Sequence, residues 1–287
     1  MSCYLKQVSD IIPQRLFVPL IVIAIILYPW VTFADEVDGV ADYAYSVFVG
    51  TGKYSIHDRT IYVLRAPLEF DIHEFDYKSD QKLALKLLAP VAVGFTYFDT
   101  LEELPDIDVN DIQTISVVPG LELSVPLDEH WQLKPFVQVG FGMDTKSDSE
   151  SFVWGTGVRA RATYGEESRW LIGGEFLWAG NNPNGSDSTT SFSRLGLGLE
   201  YKISSNLVVF NRSISWHLRA FQWYFSEAMT FEEPVLPFKL NHATEVGLSF
   251  GLDRPIRMLG YNFTQLGVGY EWSDGYEAVT FFTTFPF

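Results

Sequence analysis

Apolar residues alternate with small or polar residues along most of the chain, and this period of two is the feature that most limits its fold. In 115–127 and 131–143 nearly every odd position is apolar, whereas the even positions hold mostly Ser, Gly, Gln, Glu and Lys. Successive side chains of a β-strand point to opposite faces, so these segments predict strands with one apolar face. No apolar run after Ala34 is long enough for a membrane helix.

The alternation predicts twelve strands. They lie near 43–50, 60–72, 82–98, 114–127, 131–143, 152–164, 169–179, 192–202, 207–221, 241–252, 261–272 and 276–287. Short turns that alternate with longer loops are typical of a transmembrane β-barrel. Short turns are predicted at 128–130, 165–168 and 203–206, and longer loops at 99–113, 144–151, 180–191 and 222–240. Elsewhere the alternation is imperfect, since 273–275 is a short loop while 73–81 and 253–260 are long turns.

The two faces of the predicted strands differ in charge. One is uncharged, with aromatic rings towards the strand ends, and comprises Trp154, Val158, Ala160, Tyr164, Trp170, Ile172, Phe176, Trp178, Leu195, Leu197, Leu199 and Tyr201. The other holds many glycines together with Arg159, Arg161, Glu175, Arg194, Glu200, Glu245 and Glu271. An Arg or Lys that faces lipid at the midplane costs about 2–4 kcal/mol. We therefore predict an all-β fold, a transmembrane antiparallel β-barrel with a polar lumen.

A soluble β-sandwich would reverse these faces and place the apolar residues inside. The barrel is favoured because the glycines would leave a sandwich with a thin charged surface. The ninth predicted strand fits least well, since the phase of Trp216 and Leu218 directs Arg212 towards lipid. A bulge near Asn211 or a different strand boundary would remove this conflict.

The N-terminus is typical of a secretory signal peptide. Lys6 and Arg15 precede an apolar run, Leu16–Ala34, which ends in small residues before Asp35. We predict cleavage between Ala34 and Asp35. The alternative is an uncleaved membrane anchor, because the run is near the roughly 18 residues that span a bilayer.

Cleavage would divide the chain into a signal peptide (1–34), a short periplasmic segment (35–42) and an outer-membrane barrel (43–287). The only cysteine, Cys3, would leave with the signal peptide. We therefore expect a mature protein with no disulfide and no cysteine chemistry.

The last nine residues carry the most specific motif. In Val279–Phe287 the residues Phe281, Phe285 and Phe287 occupy alternate positions and are expected to share one face. This segment resembles the C-terminal assembly signal of bacterial outer-membrane barrels, an alternating aromatic strand that ends in Phe. The resemblance implies recognition by the barrel-assembly machinery. The alternative is a buried terminal strand of a soluble domain.

The chain as a whole resembles the β-domain of autotransporters. The resemblance rests on the twelve strands, on hairpins such as 121–142 and on the glycine-rich segment WGTGVRARATY at 154–164. Only 35–42 precede the first predicted strand, so the solitary outer-membrane autotransporter-like barrels, which lack a passenger, are the most similar family. That family implies no assigned activity.

A row of charge is expected inside the barrel. If the hairpin that joins 169–179 to 192–202 closes symmetrically, Glu175 lies opposite Arg194, with Arg159 on the other neighbouring strand. Arg161 and His217 would extend the row. Such a row is either a selectivity constriction for solutes or a salt-bridge network that stiffens the lumen, and the second interpretation is favoured.

Catalytic residues are not assigned. Ser215 and His217 share a face and could serve as nucleophile and base of a lipid hydrolase. Lipid hydrolysis would require both side chains on the lipid face, whereas the strand phase directs them inward.

Two predicted loops are unusual in composition. Residues 99–111 hold six carboxylates, which could bind Ca²⁺ or Mg²⁺, although solvated charge is favoured because no EF-hand pattern is present. We expect no metal and no cofactor. Residues 222–240 are aromatic, and we expect them to enter the barrel mouth or to contact lipopolysaccharide or a neighbour.

The net charge of −16 argues against a nucleic-acid partner, because phosphate binding requires clustered Lys and Arg. We expect a monomer in the bacterial outer membrane, with both termini periplasmic, surrounded by lipid and lipopolysaccharide.

Three functions remain open: a non-enzymatic barrel that is structural or weakly channel-forming, a porin specific for small anionic or zwitterionic solutes, and a lipid-active enzyme.

Overall fold

In the computed structural model, almost all of the described residues beyond residue 50 are in β-strands. The structure describes residues 47–56, 59–78, 81–97, 113–145, 149–184, 189–209, 212–231, 238–258 and 261–287. The predicted signal peptide, the segment 35–42 and the acidic residues of 99–111 lie outside these ranges.

The strands follow one another along the chain with short connections. They are β1 (Thr51–Ile56), β2 (Arg59–Lys78), β3 (Gln81–Tyr97), β4 (Thr114–Val117), β5 (Gly120–Pro126), β6 (Trp131–Asp144), β7 (Ser149–Tyr164), β8 (Trp170–Pro183), β9 (Thr190–Val209), β10 (Arg212–Phe231), β11 (Phe238–Met258), β12 (Tyr261–Ser273) and β13 (Tyr276–Phe282). A 3₁₀ turn at Glu166–Ser168 joins β7 to β8.

The sheet closes on itself. Each strand pairs antiparallel with the next, and β1 pairs with β13 from Thr51↔Phe281 to Ile56↔Tyr276. The strands β4 and β5 are two halves of one strand, because both pair with β3 on one side and with β6 on the other. The barrel therefore has twelve strands, which confirms the predicted fold class.

The connections divide into two groups at opposite ends of the barrel. At one end, here called the turn end, the connections at 79–80, 127–130, 165–169, 210–211 and 259–260 are all short. At the other end, the loop end, the longest is 98–113. The start of β1 and the end of β13 both point towards the turn end.

The tight turn between β5 and β6 is held by one carboxylate. Asp128 Oδ1 accepts hydrogen bonds from the backbone N–H groups of His130, at 2.8 Å, and Trp131, at 2.7 Å. These bonds favour the ionised form and so lower the pKa of Asp128 from its ordinary value.

Several predicted strand boundaries are wrong. The predicted first strand, 43–50, is a helical turn at 47–49 in its described part, and β1 begins only after Gly50, whose φ of 134° few other residues adopt. The last strand ends at Phe282 rather than at 287.

Other predicted loops and turns belong to strands. The strands β10 and β11 take up 222–231 and 238–240 of the expected aromatic loop, and 203–206 lies inside β9. The turn between β9 and β10 is at 210–211 instead. The register of this pair shifts between Ser213 and Ser215. An irregularity near this point was expected, because unbroken alternation would direct Arg212 towards lipid.

The outer surface is apolar around the barrel. Exposed side chains on every side of the wall are large hydrophobic ones, including Leu64, Val117, Val139, Phe141, Trp170, Trp178, Leu197, Leu218, Tyr224, Leu248, Leu266, Val268 and Phe281. Arg194, Glu200 and Glu245 are buried on the inner face. The soluble-sandwich alternative is therefore wrong, because the apolar face is outside and the charged face inside. No helix in the described ranges is long and apolar enough to cross a membrane.

Candidate functional site

The lumen is filled by the protein's own side chains. Two clusters of buried apolar residues occupy it, and each includes residues from a segment outside the wall. The first cluster is Val47, Phe48, Leu88, Ala92, Val118, Phe136, Val153, Leu177, Ala179 and Phe192. The second cluster is Tyr54, Val63, Phe221, Trp223, Leu240, Ala243, Tyr276, Ala278, Phe285 and Phe287.

Inward-facing glycines make room for these rings. A Cβ at Gly155 would overlap the ring of Phe48, which lies across the lumen rather than in the wall. A Cβ at Gly198 would overlap Phe221 in the same way. The sequence identified the glycines as small lumen residues, but it did not reveal that aromatic rings occupy the space above them.

Three of the predicted lumen charges form one chain of ion pairs. Glu175 Oε2 accepts from Arg159 Nε at 2.8 Å, and Glu175 Oε1 accepts from Arg194 Nη2 at 2.6 Å. Arg159 Nη1 donates in addition to Glu122 Oε2 at 2.7 Å. Arg194 Nη1 donates to the backbone oxygen of Phe48 at 2.8 Å, which ties the segment 47–49 to the wall.

The register differs in detail from the expected one. Glu175 is directly opposite Arg159 on β7, whereas its direct partner on β9 is Gly196 and Arg194 is a diagonal neighbour. Glu122 was missed. The signal that could have identified it is its even position in the strand 115–127, which places it on the inner face.

Arg161 and His217 lie outside this chain of ion pairs. Arg161 lines a separate cavity near the turn end, and His217 pairs with Glu200. The single charge row expected from the sequence is therefore divided into two groups.

Aromatic rings enclose the ion pairs. The guanidinium carbon of Arg159 is 4.2 Å from the centroid of Phe136, and that of Arg194 is 4.6 Å from Trp223. The side chains of Arg159, Glu175 and Arg194 are only 14%, 5% and 10% exposed. A selectivity constriction presents its charge to water, so this buried arrangement fits the role of a network that stiffens the lumen.

A further group of charges, separate from both of these, lies beside the strands that close the barrel. Arg219 on β10 forms an ion pair with Glu245 on β11, and Thr280 Oγ1 donates to the same carboxylate oxygen at 3.2 Å. Glu271 on β12 accepts a hydrogen bond of 3.1 Å from the hydroxyl of Tyr276. These contacts link four consecutive strands across the lumen face.

The three predicted assembly-signal residues do not share a face. Phe281 is on the outer surface and is 53% exposed, whereas Phe285 and Phe287 are buried in the second cluster. The chain leaves the sheet after Phe282 and turns into the lumen, where Lys134 Nζ donates to the backbone oxygen of Phe287 at 3.3 Å. Pro286 supports this exit, because proline has no N–H to donate to a neighbouring strand.

A cavity of about 460 Å³ is open at the turn end of the lumen. Ser215 and His217 line it, so they face the interior and not lipid. Ser215 Oγ is 2.8 Å from His217 Nε2, and His217 Nδ1 is 2.7 Å from Glu200 Oε1. Glu200 was not paired with these two residues from the sequence; its inward phase on β9 was the available signal. Within the described ranges no group of His, Cys, Asp and Glu could hold a metal ion.

Comparisons with known proteins find similarity to solved structures alone. No protein-family model matches the chain, and no curated protein is similar to it. The chain is similar to the crystal structure of the β domain of the Bordetella autotransporter BrkA, with 11% sequence identity and a TM-score of 0.43. The similarity covers 82% of this chain and 96% of that one. The barrel itself is established by the strand pairing.

The chain of ion pairs makes Glu175 the residue whose loss should cost the most. In Glu175→Gln, Arg159 keeps Glu122 as a partner, but Arg194 loses the one carboxylate with which it forms an ion pair among the described residues. Removing one partner from a buried pair costs about 3–5 kcal/mol. We expect the folded band in a detergent gel to disappear at a lower temperature than in wild type.

Second substitutions locate the cause of this loss. Glu175→Gln with Arg194→Gln should recover part of the stability, because the uncompensated charge is gone. Glu175→Gln with Arg159→Gln should recover none, since it leaves both Arg194 and Glu122 unpaired. The control is Glu129→Gln, a side chain that is 86% exposed. Purely additive effects of Glu175→Gln and Arg194→Gln would contradict the proposed contact.

The buried end of the chain gives a second prediction. Replacing Phe285 and Phe287 with Ser removes two rings from the second cluster, and truncating a buried Phe costs about 3–5 kcal/mol. The purified double variant, refolded in detergent without any cellular factor, should melt well below wild type. Phe281→Ser, on the outer face, is the control and should melt close to wild type. Equal losses in both would contradict the lumen position of Phe285 and Phe287.

Proposed function

We propose that this protein is an integral outer-membrane β-barrel whose lumen is closed to solutes, so that its role is structural and not transport. The observation that carries this proposal is the packing of the lumen by the two apolar clusters with the ion pairs of Glu175 between them. A porin of this size would need a continuous aqueous path lined by polar side chains. Here Phe48, Phe136 and Trp223 occupy the region that such a path would cross.

The proposed orientation places the turn end in the periplasm and the loop end at the cell surface. It is supported by the short connections at one end, which are typical of the periplasmic side of outer-membrane barrels. It also places both ends of the barrel domain in the periplasm. The apolar outer wall would contact lipid, and Asn184 at the loop end would face the lipopolysaccharide layer. We propose a monomer, because the closed sheet has no free edge for a second copy.

Export and assembly complete the proposal. The signal peptide would be removed after Ala34, and the barrel-assembly machinery would recognise the aromatic end of the chain before it folds into the lumen. An intact-mass measurement on protein purified from outer membranes should therefore correspond to a chain that begins at Asp35. A mass that includes residues 1–34 would show that the apolar run is an uncleaved anchor.

Conductance in a planar bilayer tests whether the lumen is closed. The refolded wild-type protein should show no ion conductance, because no water-filled path crosses the two clusters. Phe48→Ala combined with Trp223→Ala should introduce conductance, since it removes two rings from the middle of the lumen. Phe250→Ala, which changes a ring on the outer face, is the control and should stay closed.

Each variant is first shown to be folded by its heat-modifiable migration. Stable, ion-selective openings of the folded wild-type protein would reject the closed barrel. That outcome would favour the porin for small anionic or zwitterionic solutes.

Cysteine labelling tests the orientation. In a Cys3→Ser background, Asn184→Cys at the loop end should react with a membrane-impermeant maleimide on whole cells. Glu129→Cys, in the exposed turn at 127–130, should react only after the outer membrane is permeabilised. Both positions are exposed in the structure, so the difference reports the side of the membrane. Labelling of Glu129→Cys alone on whole cells would invert the orientation.

A further inference from the structure

We propose that the turn-end cavity is a hydrolytic site for short-chain carboxylic esters, with Ser215 as the nucleophile and His217 as its general base. Glu200 is the positioning residue that orients the imidazole. The proposal concerns the cavity at one end of the barrel, and it does not depend on whether the lumen beyond it conducts ions.

The sheet brings these three side chains together on its inner face. Ser215 and His217 are two residues apart on β10, so both point into the lumen. Glu200 on β9 is directly opposite Arg219, one inward position beyond His217, and reaches the imidazole diagonally. The chain Ser215 Oγ, His217 Nε2, His217 Nδ1 and Glu200 Oε1 has contacts of 2.8 and 2.7 Å.

The hydrogen-bond roles follow from the carboxylate. An ionised Glu200 can only accept, so the proton of the neutral imidazole is on Nδ1 and Nε2 is left free to accept from Ser215. The second carboxylate oxygen accepts from Gln265 Nε2 at 3.3 Å, and Gln265 Oε1 accepts from Ser249 Oγ at 2.7 Å. These contacts to β11 and β12 hold Glu200 in place. The order of nucleophile, base and orienting carboxylate is that of a serine hydrolase, which is recognised by geometry and not by sequence position.

Space for a substrate is open beside the nucleophile. Ser215 is directly opposite Gly251 on β11, and a Cβ at that position would lie 3.2 Å from Ser215 Oγ and would overlap the imidazole of His217. Glycine at 251 therefore gives the imidazole of His217 the room to reach the Ser215 hydroxyl, and both side chains line the cavity.

The lining indicates the class of substrate. The cavity of about 460 Å³ is within the usual range for small-molecule sites. Leu171 and Phe285 provide an apolar wall for a short acyl group. Glu167 and Ser204 at the mouth are exposed, so the substrate would enter from water at the turn end and not from the bilayer.

The reaction balances with water as the only co-reactant. Ser215 Oγ attacks the ester carbonyl while its proton passes to His217 Nε2, and this proton then leaves with the departing alcohol. The resulting acyl-Ser215 is attacked by a water molecule, which gives its proton to His217. Collapse of that intermediate returns the proton to Ser215 and releases the carboxylic acid, so that one ester and one water yield one acid and one alcohol.

The test uses the full-length chain refolded in detergent, with p-nitrophenyl butyrate as the substrate. A fluorophosphonate probe, followed by peptide mass spectrometry, identifies any reactive serine. We expect hydrolysis by wild type and labelling at Ser215. Ser215→Ala should lose both, with kcat/KM at least roughly 10³-fold lower. The matched control is Ser124→Ala, another buried serine on the lumen face of β5, which should keep both.

Variants of Glu200 separate positioning from folding. Glu200→Gln should lower kcat at least roughly 100-fold with little change in KM, because the imidazole loses its orienting carboxylate but the binding walls remain. Glu200→Asp should recover part of kcat. Heat-modifiable migration shows that each variant is folded.

Four results would overturn the proposal. The first is that folded wild-type protein does not hydrolyse the ester, whether or not the probe reacts. The second is that hydrolysis survives in Ser215→Ala, and the third is that the probe labels a different serine. The fourth is that Glu200→Gln leaves kcat unchanged. Preferential cleavage of phosphatidylcholine vesicles over p-nitrophenyl butyrate would overturn the assignment of a water-soluble substrate.

Discussion

The pairing of β1 with β13 is the contact on which the rest of the structure depends. An open sheet edge inside a membrane leaves backbone N–H and C=O groups without partners, and each costs several kcal/mol. The two closing strands, Thr51–Ile56 and Tyr276–Phe282, are far shorter than β2 or β11, so a few ladder bonds close a wall of twelve strands. Tyr54 and Tyr276, one from each of these strands, have ring centroids 6.4 Å apart on the inner face and add a side-chain contact to that ladder.

Closure creates a second requirement, because a narrow barrel has an interior that must be either wet or packed. This chain packs it. Glycines on the inner face leave space that aromatic rings from other segments fill. The buried charges form ion pairs, and the hydrogen bonds of these pairs replace hydrogen bonds to water. Near the turn end the packing stops, and there the polar groups of Glu200, Ser215 and His217 satisfy one another around an open space.

The architecture could be predicted from the sequence because it depends on local alternation. Leu195, Leu197 and Leu199 show the outward phase directly, and Arg194 and Glu200 show the inward one. The strand ends could not be predicted, because alternation stops being informative where both faces leave the membrane, as at 203–206 and 222–231. The lumen contacts were also hidden. The backbone oxygen of Phe48 accepts a hydrogen bond from Arg194, which is 146 residues away in the sequence. No periodicity connects two residues that meet across a lumen.

The candidate site could be predicted from the sequence only in part, for the same reason. Ser215 and His217 could be paired from their spacing, since both are on one strand. Glu200 could not be assigned to them without the register of β9 against β10, and that register is altered by the irregularity at Ser213–Ser215. The position of Gly251 depends in turn on the register of β11. Each added strand multiplied the possible alignments, so the sequence identified a pair where the structure contains a chain of three.

The segments that fill the lumen have a consequence for how this barrel folds. Val47 and Phe48 immediately precede β1, and Phe285 and Phe287 immediately follow β13, so both fillers are attached to the strands that close the wall. In the folded barrel both fillers pack against β7 to β10, on a different part of the wall from the strands to which they are attached. We therefore expect the pairing of β1 with β13 and the packing of the interior to stabilise each other, so that weakening either one should weaken the other.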